Sequence, residues 1–246
     1  MAERADWVAQ QRRDAWHFGR NLAADLTERY RQHYRLPQAP VPALIIDELL
    51  TDFLGAELHF DPLPPDRFAQ TRWIRGNPVV TINSRTDLIE GVKDTEGVQR
   101  VASWHEAIHI VEGGDEARSI HERTLPGMGE PAPIICFREP GRRRQTPGIS
   151  REFRAEEAGR AAACSIWAME RTPAYRELVA RAAERPDGEV VRGWPLLYEI
   201  AASLHVNISA LVTQLTLEDR LVVEPRGKRL WVPKSMFSRG ESWESQ

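Results

Sequence analysis

The sequence predicts an α+β protein, and three features point to that class. Several stretches carry apolar residues at helical spacing, as in Ala15, Phe18, Leu22, Leu26 and Tyr30. Short runs such as AELHFDPLPP and RWIRGNPVVTINSR read instead as strands bounded by glycine and proline. The stretch SWHEAIHIVEGGDE sets two histidines four residues apart on a helical pattern, with a glutamate directly after the first. Of the 246 residues 41% are apolar and 28% charged, enough for a sizeable core in one domain with a smaller appendage.

The net charge of −3 gives the whole chain no nucleic-acid footprint. The N-terminal stretch mixes both charge signs and has no apolar centre, unlike a secretory leader. No run approaches the roughly 18 apolar residues of a membrane span. Two cysteines, Cys136 and Cys164, are too few for a disulfide framework. A reduced, cytoplasmic setting with no membrane partner is the expectation.

Taken in order, the N-terminal helix stops at LPQAPVP, because proline lacks the amide donor. A second helix buries Ile46, Leu49, Leu50 and Phe53 and ends at Gly55. AELHFDPLPP forms a strand with Leu58 and Phe60 inward, and RWIRGNPVVTINSR forms two strands around a Gly-Asn-Pro turn. TEGVQRVASWHEAIHIVEGG is a helix that Gly113 and Gly114 end. Residues 115–150, with the arginine run 142–144, are rich in glycine, proline and arginine and read as loop. Ser150 is placed as the N-cap of one long helix, SREFRAEEAGRAAACSIWAME. A linker near RPDGEV separates a domain over 1–185, with helix 1–36 appended, from a module over 186–246.

Residues four apart on a helix lie on one face, about 5–6 Å between their Cβ atoms. Two imidazoles so placed can converge on one Zn2+ at ~2.0–2.1 Å. His105 and His109 share their face with Val101 and Ile108, and a buried imidazole needs a polar partner. Glu106 sits about 100° further round, placed to reach a zinc-activated water rather than the ion. A zinc site with one open position needs a third protein ligand. Asp115 stands where some H-E-x-x-H proteins place theirs, but the glycine that would turn the chain is replaced by Glu112. The later helix offers Glu152, Glu156 and Glu157, and Glu152 lies one turn before Ala155 on a face of small residues with Gly159, Ala162 and Ile166.

The order of these parts resembles that of ImmA/IrrE-type zinc metallopeptidases. IIDELLTDFLGAELHFDPLP precedes VVTINSR, similar to that family's strand ending in Ile-Asn. VQRVASWHEAIH resembles its lead into H-E-x-x-H, and IICFRE with REFRAEEAGRAAA resembles its Cys-Arg segment and E-x-x-A helix. The resemblance implies a zincin-like metallopeptidase domain, a small sheet with an active-site helix and a ligand helix behind it. It implies zinc held by His105, His109 and Glu152, with Glu152 the glutamate of E-x-x-A. It also implies a substrate class, helix-turn-helix repressors of the Xre type. Glu106 is then the general base, and Val80, Thr81 and Ile82 on the strand 79–83 are placed to bind substrate backbone as an added strand.

In the C-terminal module Ile200, Leu204, Val206, Leu211 and Leu215 fit a helix-turn-helix core, with RLVVEPRGKRLWV as a winged-helix-like hairpin. Its second helix offers mainly Gln214 toward base edges and ends in Glu218 and Asp219. Packing or substrate docking is therefore expected of it. The small basic cluster Arg226, Lys228 and Arg229 is what favours DNA.

Overall fold

The computed structural model of the chain describes residues 2–65, 67–89, 92–123, 136–137, 151–224 and 229–233. It is a mixed α and β structure that divides into two compact units, Met1–Ala163 and Cys164–Gln246. The expected boundary lay later, after residue 185. The difference has a local cause: the helix expected to run on through SIWAME ends at Ala163. Ser165 takes φ −57° and ψ 121°, an extended conformation that stops the helical ladder.

In the first unit, helix α1 (Ala2–His33) carries the expected stripe. Ala15 and Leu26 are buried, and Phe18 and Leu22 pack against Ile108, Ala155 and Ala158. A 3-10 turn (Pro42–Leu44) leads into α2 (Ile46–Glu48), which widens into a π turn over Leu49–Phe53. Gly55, at φ +66°, ends it in a left-handed conformation, and the Ala56 amide bonds back to the Leu50 carbonyl.

Strands β1 (Glu57–Asp61), β2 (Ala69–Ile74), β3 (Asn77–Asn83) and β4 (Cys136–Phe137) form one sheet in the order β1-β3-β2-β4. β1 runs parallel to β3, while β2 is antiparallel to both β3 and β4. Three expectations change here. The β2–β3 turn is Arg75-Gly76, both at positive φ, and Asn77 already pairs with Ile74, so the turn falls one step earlier than Gly-Asn-Pro. Such two-residue turns match the right-handed twist of the strands they join. Phe60 does not point inward: it is 49% exposed and lines a cleft with Asp47, Glu96, Gln99, Arg100 and Ser103. Residues 136–137 form a strand within the segment read as loop.

Helix α3 (Thr95–Arg123) carries the histidines and packs on β2 and β3. It does not stop at Gly113-Gly114. A glycine inside a helix costs only about 1 kcal/mol relative to alanine. Gly113 is buried, and a Cβ there would meet the Trp73 ring at 3.8 Å, so its bare surface lies toward β2. α4 (Arg151–Ala163) packs on the other side of α3, and α1 packs on α4. The layers run sheet, α3, α4, α1. Ser150 and the arginine run 142–144 lie outside the described residues.

The second unit holds α5 (Ile166–Met169), α6 (Pro173–Ala183), α7 (Gly193–Ser203), α8 (Ile208–Leu217) and the hairpin β5 (Val222–Val223) to β6 (Leu230–Trp231). Thr172 caps α6, accepting from the Tyr175 amide at 3.2 Å, and Asn207 caps α8, accepting from the Ala210 amide at 2.8 Å. α7 and α8 meet at 107°, within the range of helix-turn-helix pairs. Glu189, between α6 and α7, bridges to Trp231 of β6. Ile200, Leu204, Val206, Leu211 and Leu215 are all buried, as expected. Among the described residues no single helix is long and apolar enough to cross a membrane.

The α1–α4 contact makes a sharp demand on sequence. A Cβ added at Gly19 would lie 2.0 Å from the Ala158 carbonyl oxygen, closer than atoms can approach. Gly19→Ala is expected to destabilise the first unit by about 1–3 kcal/mol through overpacking. Thermal unfolding of the variant checks this, and an unchanged midpoint would contradict so close a helix contact.

Candidate metal centre

The centre starts from α3, which is buried on every side from Val101 to Ile110. His105 and His109 are 2% and 3% exposed, and their Nε2 atoms lie 3.0 Å apart. The helical repeat alone stacks these rings. The third side chain comes from α4 and depends on how closely that helix can approach.

Gly159 sets that approach. A Cβ there would lie 2.8 Å from both the Cα and the backbone nitrogen of His105, so a side chain of any kind would drive the helices apart. With glycine at this point, and Ala155 and Ala162 buried along the same helix, α4 lies nearly backbone to backbone with α3. Two turns before Gly159, Glu152 then reaches the histidines. Its Oε2 lies 3.4 Å from His105 Nε2 and its Oε1 3.4 Å from His109 Nε2.

His105, His109 and Glu152 form a group whose ligand atoms all lie within 4.8 Å of one another. That spacing is compatible with one ion held between the two imidazoles and the carboxylate. The donor set, two imidazoles and one carboxylate, also fits zinc and leaves room for a fourth ligand.

Burial raises the Glu152 carboxyl, but hydrogen bonds from His105 and His109, with their charges, outweigh it and hold the group at about 2. A depressed carboxyl stabilises the site above its unfolded value, and that contribution is lost as pH falls through the folded value. At neutral pH Glu152 is an anion, the state a metal ligand requires.

The other acidic candidates lie elsewhere. Glu157 turns toward α1, where Trp16 Nε1 donates to it at 2.8 Å, Arg160 at 2.6 Å and Arg12 stands at 3.4 Å. Glu156 is exposed, 3.6 Å from Arg160. Asp115 falls inside α3, because the helix runs past Gly113-Gly114, so the chain makes no turn there to bring it back. Its backbone stands about 9 Å along the axis from His109.

Glu106 is fully buried, and its Oε2 accepts a 2.6 Å hydrogen bond from the hydroxyl of Thr71 on β2. Thr71 is a residue the sequence reading missed. The available signal was the two-residue alternation of β2, which places Thr71 on the inward face between Ala69 and Trp73.

Val80, Thr81 and Ile82 do not form a docking edge. β3 pairs with β1 on one side and β2 on the other, so its backbone groups are already bonded to both neighbours. Among the described residues the edge strands of this sheet are β1 and β4.

No protein-family model, curated protein or solved structure matches the chain.

The geometry separates the acidic side chains by experiment. Glu152→Ala is expected to lower zinc affinity at least tenfold, while Glu156→Ala retains it. Zinc titration against a chromogenic chelator reads both. Retention in Glu152→Ala with loss in Glu156→Ala would overturn the ligand set.

Proposed function

We propose that the chain is a zinc-dependent endopeptidase of the ImmA/IrrE type, with a zincin-like first unit, acting on a helix-turn-helix repressor. The observation that carries this reading is the convergence of His105, His109 and Glu152 beside a buried glutamate. A purely structural zinc site has no use for Glu106, whose burial as a carboxylate costs stability. The resemblance of VVTINSR, HEAIH and the E-x-x-A helix to that family supplies the substrate class.

His105, His109 and Glu152 would hold the ion. Bound there, zinc supplies Lewis acidity, lowering the pKa of water and polarising a peptide carbonyl. Glu106 takes the proton from the attacking water as the C–O bond forms. It then delivers that proton to the departing amine as the C–N bond breaks, leaving a carboxylate and an amine as products.

The second unit has the element order of a winged-helix module: helix, bridging residue, two helices at 107°, then a hairpin. That order favours a second reading, a transcription regulator that binds DNA. Two observations count against it. α8 has no charged side chain between Ile208 and Leu217. Gln214, the expected base-reading side chain, is 2% exposed and bonds to Glu218. Arg229 is exposed, with Glu189 at 3.9 Å, while Arg226 and Lys228 lie outside the described residues. Substrate docking is the role that suits this surface.

Glu106→Gln is expected to keep zinc and the native unfolding midpoint but to lose cleavage by roughly 10²–10⁴-fold, because an amide cannot accept the proton. The assay is co-expression with a panel of helix-turn-helix repressors of the Xre type, read as loss of a full-length repressor. Comparable cleavage by the variant would rule out the general-base role. Gel-shift titrations at two salt concentrations on the adjoining promoter are expected to show weak, salt-sensitive binding only. Tight, salt-resistant binding to one site would favour the DNA-binding reading instead.

A further inference from the structure

We propose that Thr71 is a positioning residue for Glu106, fixing the carboxylate in the place from which it moves the proton; this rests on the peptidase reading above. Thr71 Oγ1 and Glu106 Oε2 are 2.6 Å apart, within the ~2.5–2.7 Å range of hydroxyl–carboxylate hydrogen bonds. Both residues are fully buried and stand 35 positions apart in the chain. The bond therefore ties the histidine helix to the sheet at the one carboxylate the chemistry needs.

The anchor itself is rigid. Thr71 pairs with Val80 on one side and Cys136 on the other, so its backbone is fixed by two strands. A β-branched side chain has restricted χ1 freedom, which fixes the direction of the hydroxyl as well. Valine, nearly the same shape, would fill the same space without the bond. A hydroxyl at this position is thus explained by Glu106 rather than by packing.

The test uses the full chain carrying Thr71→Val, Thr71→Ser, Glu106→Gln, and Thr71→Val combined with Glu106→Gln. Thr71→Ala stands in should the valine variant fail to fold, as judged by thermal unfolding. Two quantities are read: zinc stoichiometry and affinity of the zinc-loaded protein for acetohydroxamic acid. A hydroxamic acid gives up its proton to bind as the anion, so its affinity reports the placed base without any native substrate.

Thr71→Val is expected to bind one zinc but to lose roughly 10–100-fold in hydroxamate affinity, the scale on which supporting groups around a metal act. Thr71→Ser restores most of that loss, and in the Glu106→Gln background Thr71→Val changes hydroxamate affinity no further. Wild-type hydroxamate affinity in Thr71→Val, or an equal loss with and without Glu106, overturns the assignment while leaving the peptidase reading in place. A wild-type protein that takes up no zinc overturns both.

Discussion

The centre depends on one close contact, the approach of α4 to α3 at Gly159. The helical repeat of α3 brings two imidazoles together whatever surrounds it. The third donor is 43 residues further on, on another helix, and reaches them because nothing protrudes from Gly159 toward the His105 backbone. A methyl group there would sit 2.8 Å from that backbone. Packed interiors cannot absorb such an overlap without moving one helix. Displacing α4 by even an ångström would open the 3.4 Å separations that make the three side chains a single site.

The same logic repeats one layer out. α1 lies on α4 at Gly19, opposite the Ala158 carbonyl, so α4 is held between two helices at nearly backbone distance. Its carboxylates are sorted by that arrangement. Glu157 faces α1 and is neutralised by Arg160, with Trp16 and Arg12 alongside, a network that locks the helix against rotation. With Glu157 so engaged, Glu152 is directed to the histidines. The small-residue face is thus both the packing surface and the device that selects the donor.

The sheet supplies the other half of the site. Glu106 is buried against β2, where the Thr71 hydroxyl meets it, and Trp73 of the same strand lies by Gly113. β2 therefore supports α3 through both of these residues.

Much of this was legible in the residues, because it depends on local periodicity. The i, i+4 spacing placed His105 and His109 together with Glu106 beside them, and the apolar stripe of α1 and the core of the α7–α8 pair followed the same rule. Tertiary packing decided the rest. Gly113-Gly114 looks like a helix stop but sits inside α3, where a glycine costs only about 1 kcal/mol relative to alanine. Strand 79–83 was recognisable as a strand, yet whether it lies at an edge is fixed by partners distant in sequence, and it is interior. Gln214 has a recognition-helix position but faces inward. Among Glu152, Glu156, Glu157 and Asp115 the chain alone offers four carboxylates. The small-residue face and the E-x-x-A resemblance pointed to Glu152. The close approach of α4 to α3 at Gly159, a quantity that no single stretch of sequence contains, brings its carboxylate within 3.4 Å of both histidines.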